Sequence, residues 1–148
     1  MDKTIVIMMG IQGSGKSTFY MRHLRDDFVR VNLDSLKTRH REGSLIDDCI
    51  SSDLNYAVDN TNPTRADRER YIVPAKAAGY RVVGYFMESK IKDCIQRNAL
   101  REGADRVPEM AIAATSNKLE IPSYDEGFDQ LYFVKNDGVT MSIEEWRQ

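Results

Sequence analysis

Short apolar runs alternate along this chain with longer segments of mixed polarity. Thr4-Ile-Val-Ile-Met-Met9 is continuous in apolar character, the form a strand takes when both of its faces are covered in a parallel sheet. Phe28-Val-Arg-Val-Asn32 and Asn55-Tyr-Ala-Val-Asp59 alternate as a second and a third strand, Arg81-Val-Val-Gly-Tyr-Phe86 makes a fourth, and Gln130-Leu-Tyr-Phe-Val134 a fifth. Helical patterns fall between them, from Lys16 to about Arg25, from a Thr64-Arg-Ala-Asp67 capping box to near Gly79, and over 90–102 and 108–120. Pro74 lies inside the second of these helices and is expected to kink it or split it in two. Strands alternating with helices predict parallel βαβ units with right-handed crossovers. The expected architecture is therefore three-layer α/β around a central parallel five-stranded sheet.

Composition narrows the class. The chain of 148 residues has the size of one ordinary domain, and no repeat, linker or low-complexity tract divides it, so 1–148 reads as a single domain. A hydrophobic content of 41% beside 30% charged residues excludes a disordered chain. No apolar run approaches the ~18–20 residues that cross a bilayer, and Met1-Asp2-Lys3 before a short apolar stretch lacks the form of a signal peptide. Cys49 and Cys94 are too few for a disulfide framework or a four-cysteine zinc site, so reduced thiols in a cytoplasmic protein are expected. A net charge of −2 predicts no general adhesion to nucleic acid, and any such contact must come from a local patch.

The first turn carries the clearest chemistry. Gly10-Ile-Gln-Gly-Ser-Gly15-Lys16-Ser17 satisfies G-x-x-x-x-G-K-[ST] at every fixed position, after a strand and before a helix. Glycines let the backbone wrap around phosphate oxygens, and the N–H groups of the loop and of the next helix turn then point inward as donors. Gly10, Gln12, Gly13, Ser14, Gly15, Lys16, Ser17 and Thr18 are the candidate nucleotide contacts. Lys16 would reach the β- and γ-phosphates of ATP, the Ser17 hydroxyl would ligate Mg²⁺, and Thr18 would support the loop or touch the α-phosphate.

A P-loop alone does not separate kinases from GTPases and mechanical ATPases. Asp34 follows the second strand, where a carboxylate faces the same crevice and can take the proton of an acceptor hydroxyl; an N-cap role is the alternative. Lys37, Arg39 and Arg41 follow directly, placed either to clamp an acceptor phosphate or as a solvated helix face. At the end of the third strand, Asp59 either supports Mg²⁺ or makes structural hydrogen bonds. Asn60 and Asn62 beside it are candidate acceptor contacts, with turn and cap chemistry before Pro63 as the alternative. Arg97 and Arg101, four residues apart on the helix expected over 90–102, would share one face of a lid at about 97–110 that closes over the transferring phosphoryl group.

These residues together resemble the kinase domain of polynucleotide 5′-kinases over roughly residues 4–135. The likeness is carried by Gly10–Thr18, Val31-Asn-Leu-Asp34, Asp59-Asn-Thr-Asn-Pro63, Arg70-Tyr71, Arg97-Asn98 with Arg101, and Pro122-Ser-Tyr-Asp-Glu126-Gly-Phe128. The resemblance implies a P-loop kinase fold, ATP and Mg²⁺ as cofactors, and 5′-hydroxyl ends of DNA or RNA as substrates. It further implies Asp34 as general base and Arg101 as the lid arginine, with Arg97 beside it. Three departures stand out. Lys37 occupies a position where the family often has arginine, with Arg39 a possible substitute; in the phage form the acid of the third-strand motif falls at the place of Asn60, not Asp59; and no D-x-D-G-[ST] phosphatase signature is present, so a kinase without a 3′-phosphatase is expected. A small-molecule or nucleoside kinase on the same scaffold, and a non-catalytic nucleotide sensor, are the rival readings.

Overall fold

The computed structural model describes residues 2–146. In chain order the elements are β1 (Thr4–Met9), α1 (Lys16–Phe19, prolonged by a π turn over Tyr20–Leu24), β2 (Val29–Val31), α2 (Leu33–Leu36) and α3 (Arg39–Ser51). They continue with β3 (Tyr56–Asp59), α4 (Arg65–Ala77), β4 (Arg81–Met87), α5 (Ile91–Ala99), α6 (Glu109–Lys118), β5 (Gln130–Asn136) and β6 (Met141–Glu145). The sheet order is β2-β3-β1-β4-β5-β6, with the first five strands parallel. Its centre explains the apolar run of β1. Ile5, Ile7 and Met9 enter one core with Val58, Tyr71 and Leu131, while Val6 and Met8 enter the other with Phe19, Leu24 and Met87. A strand covered on both faces has no polar side to display.

The expectation of five strands is corrected to six. β6 runs antiparallel to β5, joined to it by a turn in which the Asp137 carboxylate accepts from the backbone of Val139 and Thr140. Its residues are mostly exposed, so it lacks the apolar signal of the inner strands; its cue is the Asn136-Asp137-Gly138 turn. The helix α3 is likewise not announced by the apolar pattern, because few of its side chains are buried. Pro74 does not split α4, which runs as one element from Arg65 to Ala77. Pro74 has no N–H to donate to the carbonyl of exposed Arg70, and Tyr71, Ile72 and Ala75 hold the opposite face against the sheet.

The capping box at Thr64 forms as expected: Asp67 N donates to Thr64 Oγ1 at 3.1 Å, and Thr64 N donates to Asp67 Oδ2 at 3.3 Å. The Pro122–Phe128 segment also acquires a physical reason. Arg68, fully buried, meets Glu126 through Nε–Oε1 at 2.8 Å and Nη2–Oε2 at 3.2 Å, and donates from Nη1 to the carbonyls of Asn62 and Glu120. This pair ties the end of β3, helix α4 and the run before β5 into one block behind the site.

Candidate active site

The phosphate loop is built by crowding. Gly13 (φ +82°) and Gly15 (φ +100°) sit in left-handed conformations, and a Cβ at either would collide with the Cys94 carbonyl or with Asn136 Nδ2. The loop is braced from outside: Arg97 donates from Nη1 to Gly13 O (2.9 Å) and from Nη2 to Asn136 O (3.1 Å), and Asn136 Nδ2 donates to Ser14 O (3.1 Å). Ile11 N donates to Ser89 Oγ, and Gln12 Nε2 donates to Thr115 on α6. Ser14 Oγ is buried with no partner among the described residues, a polar atom facing a loop shaped for anions. Lys16 folds back so that Nζ donates to Gly10 O (3.0 Å) and Ile11 O (3.1 Å). Desolvation of its ammonium is the main cause that lowers its pKa from 10.5 to about 8, against the opposing pull of Asp59 and helped by Arg101.

A cavity of about 360 Å³ opens beside the loop, lined among others by Gln12, Lys16, Ser17, Asp34, Arg39, Asp59, Asn60, Asn62 and Arg101. Residues from six separate segments thus converge on one space. Asp34 lies in the first turn of α2 but is not its cap: the Asn32 side chain fills that role, accepting from Ser35 N at 3.0 Å. Asp34 is exposed, lines the cavity and has no hydrogen-bond or ion-pair partner among the described residues. Its turn is pinned from β3, where Asn60 Oδ1 accepts from Leu33 N (2.9 Å) and Asn32 Nδ2 donates to Asp59 O (2.6 Å).

Several expected roles change on this geometry. Arg97 does not face the transferring group; its guanidinium is committed to the carbonyls of Gly13 and Asn136. Nor do Arg97 and Arg101 share a helical face, because α5 ends at Ala99 and Arg101 lies beyond it, lining the cavity alone. Lys37, at a left-handed backbone position (φ +76°) closing α2, is not among the lining residues, whereas Arg39 is. Asn62 is buried, with Nδ2 donating to Met8 O at 2.8 Å, so its amide nitrogen is spent holding the strand ends together and not on an acceptor. Thr18 is exposed and outside the lining.

Two residues that the sequence did not single out, Arg30 and Glu42, complete the site. Arg30 on β2 reaches Asp59 Oδ2 from Nε and Nη2, both at 2.8 Å, and donates from Nη2 to Ser17 Oγ at 2.9 Å. Ser17 Oγ itself lies 3.3 Å from Asp59 Oδ2. Glu42, buried in the first turn of α3, accepts from Arg39 Nη1 (2.8 Å), Asn60 Nδ2 (3.1 Å) and Tyr71 OH. Burial, and next the Glu42 carboxylate, raise the Tyr71 phenol above its ordinary pKa of 10, so it remains a donor. The alternating pattern of β2 hints at Arg30 only as a polar position, and nothing local distinguishes Glu42 from the exposed charges around it.

The hydroxyl of Ser17 and the carboxylate of Asp59 are hard oxygen donors at the mouth of the phosphate loop, which suits Mg²⁺. Among the described residues no group of three or more His, Cys, Asp or Glu side chains could hold a metal, so the remaining ligands would be phosphate oxygens and water.

Comparison with known proteins gives the same frame. Residues 5–48 match an AAA domain family profile. The fold of the chain is shared with a gluconokinase from Sinorhizobium meliloti 1021 (TM-score 0.59, 18% identity, 90% of this chain and 82% of that one). It is shared too with a fungal RNA kinase (TM-score 0.69, 14% identity, 95% of this chain and 40% of that one). The chain has the α/β fold of these kinases. In sequence, the chain is 29% identical over 136 residues to a putative bifunctional polynucleotide phosphatase/kinase of Acanthamoeba polyphaga mimivirus, covering 87% of this chain and 32% of the relative. It is 27% identical over 128 residues to the bifunctional polynucleotide phosphatase/kinase of Schizosaccharomyces pombe, covering 84% and 31%. The chain therefore spans about a third of the length of both curated relatives. No helix among the described residues is long and apolar enough to cross a membrane.

Proposed function

We propose that the protein transfers the γ-phosphate of ATP to the 5′-hydroxyl end of a polynucleotide, DNA or RNA, with Asp34 as general base. The observation that carries the reading is an unpaired carboxylate, Asp34, in the same cavity as the phosphate-binding lysine. A nucleotide sensor has no use for it. The names of the two sequence relatives favour a polynucleotide over a metabolite as acceptor.

In this reading the loop from Gly10 to Ser17 holds the ATP phosphates, and Lys16 leaves the loop carbonyls to neutralise the β- and γ-phosphates. Mg²⁺, held by Ser17 and supported by Asp59, supplies charge neutralisation across the phosphates when bound. Asp34 accepts the proton of the 5′-hydroxyl as its oxygen bonds to the γ-phosphorus; the bond from phosphorus to the bridging oxygen breaks and ADP leaves, while the proton passes from Asp34 to solvent. Arg101, on the lid at about 97–110, places positive charge on the phosphoryl group in flight. Arg39 takes an acceptor phosphate through the Nε and Nη2 donors that its contacts with Glu42 and Tyr71 leave free. Residues 1–148 act as one kinase domain in this reading. The free, buried Cys49 and Cys94 suit a reducing, cytoplasmic compartment.

The test is transfer of labelled γ-phosphate with Mg²⁺ to 5′-hydroxyl DNA and RNA oligonucleotides, nucleosides and a panel of hydroxylated metabolites. Label is expected on the oligonucleotides, with kcat reduced about 10²–10⁴-fold in Asp34→Asn and ADP affinity unchanged. Label on a metabolite alone moves the acceptor class, and full transfer by Asp34→Asn removes the base assignment.

A further inference from the structure

A second cavity, of about 230 Å³, lies between α3 and α4 and touches the first. Arg39 and Tyr71 line both, so these two side chains form the wall between the phosphoryl-transfer space and the groove. The groove's apolar lining is Ile46, Ile50 and Pro74. Gly43, on the α3 side, has nothing within 4 Å of where its Cβ would stand, so the groove is open directly above the helix backbone. Charge is arranged at its borders. Arg39, with half of its side chain exposed, and Arg70 stand on the lining, and exposed Asp47 offers a hydrogen-bond acceptor. Glu42, the other acid of the lining, is already matched by Arg39, Tyr71 and Asn60.

We infer that this groove is the binding site for the second nucleobase of the acceptor strand, counted from the 5′ end; the inference rests on the polynucleotide kinase reading above. The sequence of groups across the two cavities is a carboxylate for a hydroxyl, then a guanidinium, then a slot with apolar walls. A nucleotide chain presents the same order: a 5′-hydroxyl, the first internucleotide phosphate, then the next base. The volume suits one aromatic base and not a folded duplex. An aliphatic or sugar ligand would leave the arginines without an anion, whereas a phosphate attached to a flat ring uses both features. Apolar side chains and a proline face are the kind of surface on which bases stack without regard to sequence, and Asp47 stands where an exocyclic amine can donate to it. The site makes a dinucleotide a better acceptor than a nucleoside 3′-monophosphate, since only the former reaches the groove.

Filling the groove tests this. Gly43 has ordinary helical backbone, so Gly43→Leu introduces no left-handed strain and projects its side chain into the open space; Gly43→Ala is the control, and thermal melting of both variants establishes that they fold. We expect the wild-type protein to show a lower KM for a 5′-hydroxyl dinucleotide than for the matching nucleoside 3′-monophosphate, by about tenfold if stacking follows its usual range. Gly43→Leu erases that preference and leaves the nucleoside 3′-monophosphate and ATP kinetics as they were. A dinucleotide carrying 2-aminopurine at its second position gives a readout free of turnover: its emission changes on binding to the wild type and Gly43→Ala, and not to Gly43→Leu. Equal KM values for the two acceptors, or a preference and emission change that survive Gly43→Leu, overturn the groove assignment while polynucleotide transfer itself stands. Failure to label any polynucleotide instead overturns the parent reading.

Discussion

Lys16 offers a quantitative test of the phosphate site. Its ammonium is held at a pKa of about 8, chiefly by desolvation, against an ordinary 10.5. The difference of about 2.5 units corresponds to about 3 kcal/mol at most between charged and neutral forms. Phosphate oxygens restore the charged form, so nucleotide binding takes up a proton wherever the free protein has lost one. Affinity for ADP should be level below pH 8 and fall roughly tenfold per unit above it, to a limit of about 300-fold. At pH 8.5, where ADP is fully ionised, about three-quarters of the free protein lacks the proton and binding takes up about 0.75 proton. Titration calorimetry of ADP in buffers of different ionisation enthalpy measures that number directly. Lys16→Arg, which stays charged, should show no uptake. Folding gives the converse sign. The unfolded chain binds more protons than the folded one between pH 8 and 10.5, so the penalty is fully present below pH 8 and is relieved as pH rises through that window. Lys16→Met should accordingly melt higher than the wild type at pH 7, by about 1–2 kcal/mol after the two lost carbonyl contacts are subtracted. Absence of proton uptake at pH 8.5, or the same uptake in Lys16→Arg, refutes the argument.

Two further predictions concern buried charge. Arg30 shares both oxygens proposed for the cation, so Arg30→Met should tighten Mn²⁺ or Mg²⁺ binding to the ADP complex by on the order of tenfold, read by calorimetry; unchanged or weaker binding shows that the arginine does not oppose the metal. Glu126→Ala strands a guanidinium that is 0% exposed and should cost about 3–5 kcal/mol in denaturant unfolding, whereas the double change Arg68→Met, Glu126→Leu should recover most of it. A single variant no worse than the double would mean that the pair carries no special penalty.

The chain itself announces a good deal. The five parallel strands, the phosphate loop, the capping box at Thr64 and the position of Asp34 beyond β2 are all legible because each depends on contiguous residues: runs of apolar or alternating positions, left-handed glycines, a cap three residues from its partner. The edge strand β6 and helix α3 escape notice because exposed elements carry weak apolar signals, and only the Asn-Asp-Gly turn marks the former. Side-chain partners are a different matter. Arg97 and Arg101 look equivalent at a four-residue spacing, yet the end of α5 between them gives one to the carbonyls of Gly13 and Asn136 and leaves the other to the cavity. Lys37 and Arg39 look interchangeable until the left-handed turn at Lys37 separates them.

What the sequence by itself determined was therefore local: which segments are strands, where phosphate binds, and that a carboxylate follows the second strand. The tertiary structure alone decided which polar groups spend their hydrogen bonds on the protein and which keep them for a ligand. Asn62 and Arg97 are consumed by backbone carbonyls, Asp59 by Arg30 and Ser17, and Glu42 by a trio from three elements, whereas Asp34 and Arg101 face the cavity. The reason is that a buried polar group must find a partner wherever the fold places one, and most of those partners lie tens of residues away along the chain.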